Sequence, residues 1–257
     1  MLRKRIIFTL IYSNGNFMQS RNFRLQKVGD INWLEKNYKF QKIAFSLDEL
    51  IVLNASRDEK STLEFAKIIN RLADDVFIPI AAGGGIRSIE DAELLFKNGA
   101  DKIILNSPLI DDKDLVKKLV QKYGSQSIVA SVDYRRTGEQ HEVYIHDGAT
   151  KLDLSLQKYI SYLEQLHIGE IYLNSIDQDG TGFGYDISTI EEVAKFVTVP
   201  LIIAGGAGNE LHLMEGLNTD HVSAVATANL FNFIGDGLPK AREKVILNGL
   251  NIAKWLY

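Results

Sequence analysis

Two pairs of segments in this chain repeat at a constant separation. DELIVLNAS (48–56) resembles GEIYLNSID (169–177), and IPIAAGGG (78–85) resembles VPLIIAGG (199–206). The matched positions 49 and 170, 54 and 175, 79 and 200, and 84 and 205 are each 121 residues apart. Because a fixed offset near half of the 257 residues indicates a duplicated unit whose copies close on one another, we predict one domain, 1–257. Its halves would span about 1–123 and 124–257.

Each repeated segment is a short apolar run that ends in polar residues and glycines. Such runs are typical of buried strands, and along this chain they alternate with helical segments to give eight strand–helix units. Eight units are the number that closes a parallel barrel, so the predicted fold is α/β, a (β/α)8 TIM barrel built from two similar half-barrels. Paired polar stretches at about 134–151 predict a hairpin insertion. We further predict a polar loop from Asn16 to Arg21, followed by a helix at about 31–45.

Composition excludes several classes of function. The chain has no cysteine, so disulfides, a thiolate nucleophile and a zinc–cysteine cluster are ruled out, in keeping with a reducing, cytoplasmic setting. The net charge of −4 gives no electrostatic reason to expect a nucleic-acid partner. No apolar segment reaches the roughly 18 residues that a membrane span needs. We expect no membrane partner, no metal and no cofactor.

Two carboxylates follow the predicted strand that ends near Ser175. Asp177 and Asp179 precede Gly180, which gives the backbone room to bend and to approach a ligand closely. The carboxyl end of a strand is where α/β barrels keep their chemistry, so Asp179 is a candidate catalytic residue. For Asp177, a turn in which the side chain bonds its own backbone is an equally good interpretation.

Glycine pairs follow the third and seventh predicted strands at matching positions of the two halves. Backbone N–H groups in such loops, with the helix N-termini behind them, can bind phosphate oxygens. Each pair adjoins a strand that ends in small polar residues, so we predict two phosphate subsites across the barrel mouth, while a tight turn remains an alternative for Gly83. The predicted phosphate-binding residues are Gly84, Gly85, Asn106, Ser107, Gly180, Gly205, Gly206, Ala228 and Asn229.

Nearly the whole chain resembles HisF, the cyclase subunit of imidazole glycerol phosphate synthase. The motifs that carry the resemblance are MLRKRII, AAGGGI, GADKIILNS, GSQSIVASVD, GEIYLNSIDQDGTGFGYD and IIAGGAG. The resemblance implies a cytoplasmic barrel that binds a substrate with two phosphates. It also implies that ammonia arrives through the barrel core from a HisH-like glutaminase docked on the opposite face.

The same resemblance implies roles for residues at the opposite end of the barrel. Arg5, Glu49, Lys102 and Glu170 match the four charges at the family's ammonia entrance, and Asp101 lies where its cyclase contacts the glutaminase. Four charges at one end of a barrel would be costly to bury unless they pair with each other. A purely structural ion cluster is the alternative interpretation.

The acid–base residues match less completely. Asp133 corresponds to the second of the two catalytic aspartates that the resemblance implies, but Ile11 occupies the place of the first. Gln19 replaces an expected loop lysine, and Asn54 replaces an expected aspartate. Because losing one member of an acid–base pair typically removes about 100-fold to 10,000-fold of rate, these three differences favour a changed reaction.

The chain therefore looks more like the HisF-like paralogues of surface-polysaccharide gene clusters. In this hypothesis, a HisH-like glutaminase supplies ammonia, which attacks a phosphorylated or nucleotide-linked sugar while Asp133 and Asp179 manage the protons. Two alternatives stay open: an authentic cyclase subunit of histidine biosynthesis, and a non-catalytic barrel that docks or activates a partner.

Overall fold

The computed structural model describes residues 3–38, 43, 45–57 and 61–254. Its strands are β1 Arg5–Ser13, β2 Asn16–Arg21, β3 Arg24–Gly29, β4 Glu49–Asn54, β5 Ile80–Gly83, β6 Lys102–Leu105, β7 Ile128–Thr137, β8 Gln140–Ile145, β9 Thr150–Ser155, β10 Glu170–Ser175, β11 Leu201–Ala204 and β12 Val222–Thr227. Its helices are α1 Ile31–Tyr38, α2 Thr62–Asp75, α3 Ile89–Lys97, α4 Pro108–Asp111, α5 Lys113–Tyr123, α6 Leu156–Gln165, α7 Ile187–Ala194, α8 Glu210–Asn218 and α9 Gly237–Leu247.

Eight of the described strands form a closed parallel barrel. The hydrogen-bonded order is β1, β4, β5, β6, β7, β10, β11 and β12, and β12 pairs back to β1. The strands that begin at Glu49 and Glu170, and those that begin at Ile80 and Leu201, keep the 121-residue offset of the sequence repeat. The predicted (β/α)8 barrel is confirmed.

A β-hairpin follows the first strand of each half. β2 and β3 pair antiparallel after β1, and β8 and β9 extend β7 into an antiparallel ribbon where the hairpin insertion was predicted. The predicted polar loop from Asn16 to Arg21 is therefore wrong. The overlooked signal is Asn14-Gly15, whose φ angles of 47° and 82° belong to a tight hairpin turn. Tyr12 and Phe17 pack ring to ring across this turn and add to the hairpin's stability.

The helix predicted at about 31–45 is present as α1 over Ile31–Tyr38. Residues 39–42 and 44 of the prediction lie outside the described residues. α1 buries Ile31, Leu34 and Tyr38, which lie on one face of the helix.

The core has two layers because the barrel strands are buried on both faces. One layer packs between the strands and the surrounding helices, and the second fills the barrel interior with side chains such as Ile7, Ile51, Val129 and Ile202. Among the described residues, no helix is both long and apolar enough to cross a membrane.

Candidate active site at the carboxyl ends of the strands

A cavity of about 550 Å³ opens at the carboxyl ends of the barrel strands. This volume is within the usual range for small-molecule sites. All of the predicted phosphate-binding residues and both predicted catalytic aspartates line it: Gly84, Gly85, Asn106, Ser107, Gly180, Gly205, Gly206, Ala228, Asn229, Asp133 and Asp179.

Asp133 lies on β7 and is held by two amides. Asn174 Nδ2 donates to its Oδ1 at 3.0 Å, and Asn106 Nδ2 donates to its Oδ2 at 3.1 Å. Burial raises the pKa of Asp133 to about 7, with Asp147 and Asp179 adding to the rise and the Asn174 hydrogen bond opposing it. A carboxyl group with a pKa near neutrality can both accept and donate a proton under ordinary conditions.

Asp179 is bound by the hairpin formed by β2 and β3. Its Oδ2 accepts a hydrogen bond from Ser20 Oγ at 2.5 Å and another from the backbone N–H of Phe23 at 3.0 Å. The N–H of Asn22 donates to the Asp179 carbonyl at 3.0 Å. Burial raises the pKa of Asp179, and the bonds from Phe23 and Ser20 oppose that rise. Asp179 thus anchors the hairpin over the cavity, and its role in proton transfer stays a prediction.

Asp177 has a structural partner near the end of β7. Its Oδ2 accepts a hydrogen bond from the backbone N–H of Arg136 at 2.9 Å. It is absent from the described cavity lining, unlike Asp179. The structure therefore favours a loop-stabilising role for Asp177.

The glycine loops need glycine because another backbone segment packs closely against each of them. Gly84 has a φ of +96°, and a Cβ there would lie 2.2 Å from the carbonyl oxygen of Asn54. Gly206 has a φ of +103°, and a Cβ there would lie 1.9 Å from the carbonyl oxygen of Gly184. Only glycine fits either position. Phosphate binding by these loops remains a prediction.

Two of the predicted phosphate-binding side chains have other partners. The Asn106 amide, besides its bond to Asp133, donates to the carbonyl of Ser131 at 3.1 Å. The hydroxyl of Ser107 accepts a hydrogen bond from the backbone N–H of His146 at 3.2 Å. The turn between β8 and β9 is thereby joined to the loop after β6.

The four predicted gate charges form a closed ring at the amino ends of the strands. Arg5 lies 2.7 Å from Glu49 and 3.0 Å from Glu170, and Lys102 lies 3.0 Å from Glu49 and 3.1 Å from Glu170. Burial raises the pKa of Glu49, while Lys102 and Arg5 oppose this rise. The ring has no net formal charge, which lowers the cost of placing it inside the barrel.

Asp101 lies beside this ring at the same end of the barrel. Its side chain is exposed, and its Oδ2 accepts a hydrogen bond from the backbone N–H of Ile80 at 2.8 Å. This bond fixes the start of β5. A contact with a glutaminase stays a prediction. The described residues contain no group of three or more His, Asp or Glu side chains that could hold a metal ion.

Comparison with known proteins places the chain in a family. The profile of the family described as "Histidine biosynthesis protein" matches residues 6–235. A protein of Parasynechococcus marenigrum named "Putative imidazole glycerol phosphate synthase subunit hisF2" is 44% identical over 256 residues, covering 99% of this chain and 95% of that protein. The imidazole glycerol phosphate synthase subunit HisF of Pelodictyon phaeoclathratiforme is 33% identical over 253 residues, covering 98% and 99%. The subunit of the same name from Dehalococcoides mccartyi is 34% identical over 253 residues, covering 98% of each chain.

This chain belongs to the HisF family. It is accordingly an enzyme subunit of the synthase type. Within the HisF barrel, the three positions that depart from the expected catalytic set all line the cavity: Ile11, Gln19 and Asn54. Gln19 Oε1 accepts from the N–H of Leu230 at 2.9 Å, and Asn54 Oδ1 accepts from the N–H of Ser56 at 3.1 Å. Gln19 and Asn54 therefore stabilise loops, and Ile11 offers only apolar surface.

Arg57, Arg87 and His146 also line the cavity of this HisF-family barrel, and the sequence analysis did not identify them. Arg57 and Arg87 each lie three or four residues beyond the end of a barrel strand, at Asn54 and Gly83. That spacing from a strand end was the available signal, because loops after the strands surround the mouth.

Proposed function

We propose that this chain is the ammonia-using synthase subunit of a two-protein amidotransferase. A HisH-like glutaminase would release ammonia from glutamine, and the barrel would transfer that nitrogen to a phosphorylated or nucleotide-linked sugar for surface-polysaccharide biosynthesis. We expect the complex to be a heterodimer that acts in the cytoplasm.

The observation that carries this proposal is the side chain of Ile11 on the cavity wall. Ring closure on the HisF pattern calls for two proton-transferring groups, and an isoleucine cannot transfer a proton. Gln19 and Asn54 are committed to backbone hydrogen bonds. Asp133, with its pKa of about 7, is the residue best suited to move a proton during attack by ammonia.

The charged ring supports the ammonia part of the proposal. Arg5, Glu49, Lys102 and Glu170 satisfy one another, so a neutral molecule could pass the ring without leaving a buried charge unpaired. The inward-facing side chains of β10 run from Glu170 through Tyr172 to Asn174, and Asn174 donates a hydrogen bond to Asp133. We infer that ammonia follows this route from a glutaminase docked beside Asp101.

An authentic cyclase subunit of histidine biosynthesis is the second candidate. It is favoured by the relatives named HisF, which are 33–34% identical over almost their whole length. In that case, a group other than the residue at position 11 would act as the second acid.

The deciding experiment supplies the purified chain with the substrate of imidazole glycerol phosphate synthase and ammonium chloride at high pH. The HisF of Pelodictyon phaeoclathratiforme, assayed in parallel, is the positive control. We expect negligible cyclisation by this chain, and little recovery with Ile11→Asp because the loop lysine is also missing. Turnover comparable to the control enzyme would establish the second candidate and refute the first.

A further inference from the structure

Two arginines follow neighbouring barrel strands at one edge of the cavity. Arg57 follows β4 and Arg87 follows β5, and these strands are neighbours that pair Leu53 with Gly83. Among the described residues that line the cavity, Arg57 and Arg87 are the only Lys or Arg side chains. No described residue forms a salt bridge with either guanidinium. Two cations on neighbouring loops, with no counter-ion among the described residues, favour a ligand that carries negative charge at this edge.

The remaining charges of the cavity wall strengthen that inference. Asp111 and Asp112 follow β6, and Asp147 lies in the turn between β8 and β9. An anion near these carboxylates would be repelled, whereas one near Arg57 and Arg87 would be attracted. Since Gly84 and Gly85 lie in the loop just before Arg87, a charged group there could contact both the loop and the arginines.

Phe23 lies beside Arg57 in a constrained conformation. Its φ of +62° is in the left-handed region that side chains other than glycine seldom adopt. Two bonds hold it there: its N–H donates to Asp179 Oδ2 at 3.0 Å, and its carbonyl accepts from Arg57 Nη2 at 3.0 Å. Asn22, with a φ of 50°, and Phe23 form the two-residue turn between β2 and β3, and positive φ at both positions is what such a hairpin turn requires. The Phe23 ring lies on the cavity wall against Gly148, while its carbonyl contacts Arg57.

The geometry points to a subsite for a nucleoside diphosphate at this edge. Arg57 and Arg87 bind the two phosphates by charge-assisted hydrogen bonds, and the Phe23 ring stacks on the base. The inference rests on the proposed function for one step: the sugar attached to this diphosphate is the group that extends toward Asp133. It narrows the substrate class from any phosphorylated sugar to a nucleotide-linked one.

The test is calorimetric binding of UDP, ADP, inorganic pyrophosphate and inorganic phosphate to the whole chain at low ionic strength. We expect both nucleotides to bind more tightly than pyrophosphate, and pyrophosphate more tightly than phosphate. Arg57→Gln and Arg87→Gln should each weaken nucleotide and pyrophosphate binding about 10- to 100-fold. Phe23→Leu should weaken nucleotide binding about tenfold and leave pyrophosphate binding unchanged.

Lys118→Gln is the matched control, because it removes one positive charge from the exposed face of α5, away from the cavity. It should bind every ligand as the parent chain does, and thermal unfolding of each variant checks that it folds. The inference is overturned if the nucleotides bind no more tightly than phosphate, or if the arginine variants bind like Lys118→Gln. Because this measurement needs no glutaminase and no turnover, loss of the proposed amidation would leave a positive binding result intact.

Discussion

The hydroxyl of Tyr172 lies 3.3 Å from the hydroxyl of Thr9 inside the barrel. These residues belong to β10 and β1, which β11 and β12 separate on the barrel wall. The other buried apolar side chains of this inner layer are Ile, Val and Ala. The pair is therefore a polar contact among aliphatic side chains, between the charged ring at one end and Asp133 at the other.

We predict that Tyr172 and Thr9 stabilise the barrel cooperatively. Tyr172→Phe and Thr9→Val should each lower the free energy of unfolding by about 1 kcal/mol. Each substitution removes one hydroxyl and leaves the other buried without its partner. The double variant should lose less than the sum of the two. Urea unfolding of the four proteins measures the coupling, and strictly additive losses would show that the 3.3 Å contact contributes nothing.

Asp133 should make stability depend on pH. Its pKa is raised above the value in the unfolded chain, so its neutral form is favoured by folding, and stability falls as pH rises from about 4 to about 7. A rise from 3.8 to about 7 corresponds to a loss of about 4 kcal/mol above pH 7. Asp133→Asn should remove this pH dependence, abolish any amidation and leave the fold intact.

Unfolding of the parent chain and Asp133→Asn at pH 5 and pH 8 checks this prediction. The substitution removes one hydrogen bond from Asn106 or Asn174 at both pH values, which costs about 1 kcal/mol. The informative quantity is therefore the change in the free energy of unfolding between pH 5 and pH 8. Equal pH dependence in both proteins would mean that the carboxyl group ionises normally. Unchanged amidation in a coupled assay would remove Asp133 from the mechanism.

Breaking the charged ring should leave buried charge uncompensated. Lys102→Ala removes a partner from Glu49 and Glu170, and we expect a loss of about 3 kcal/mol in the free energy of unfolding. Glu49→Gln in the same chain should restore part of that loss, because the ring regains a balanced charge. A double variant less stable than Lys102→Ala would contradict this account.

The same variant tests the ammonia route. With a HisH-like glutaminase, Lys102→Ala should impair glutamine-dependent activity while activity with added ammonium salt is largely kept, because ammonia can enter from the open cavity. A parallel fall in both activities would assign the ring a structural role. If neither activity fell and no glutaminase bound near Asp101 in a pull-down, the ammonia route would have to be abandoned.

Releasing the first hairpin should expose it to proteolysis. Ser20→Ala removes the 2.5 Å hydrogen bond to Asp179 Oδ2, and a hydrogen bond to a charged group contributes about 1.5–3 kcal/mol. Cleavage between β2 and β3 should become faster, since local opening limits attack by a protease. Ser161→Ala, on the exposed face of α6, is the control, and equal cleavage rates would show that the hairpin is held by other contacts.

Much of the barrel could be predicted because its determinants are local or periodic. The repeat at 121 residues reports the duplicated architecture directly, and the alternation along β10 places Glu170, Tyr172 and Asn174 on one face. The shape of the loop after β5 also follows from local chemistry, since Gly84 has a φ of +96°. The hairpin after β1 could have been found in the same way, from Asn14-Gly15.

The sequence alone determined which residues lie at the carboxyl ends of the strands, and only the tertiary structure decided which of them meet. Asn106 and Asn174 both bond Asp133, although they lie 27 and 41 residues away. Ser20 reaches Asp179 across 159 residues. Strand periodicity specifies the face on which a side chain lies, but its distant partner depends on strand order, register and loop path. Those are set by the closure of the whole barrel, and no local pattern encodes them.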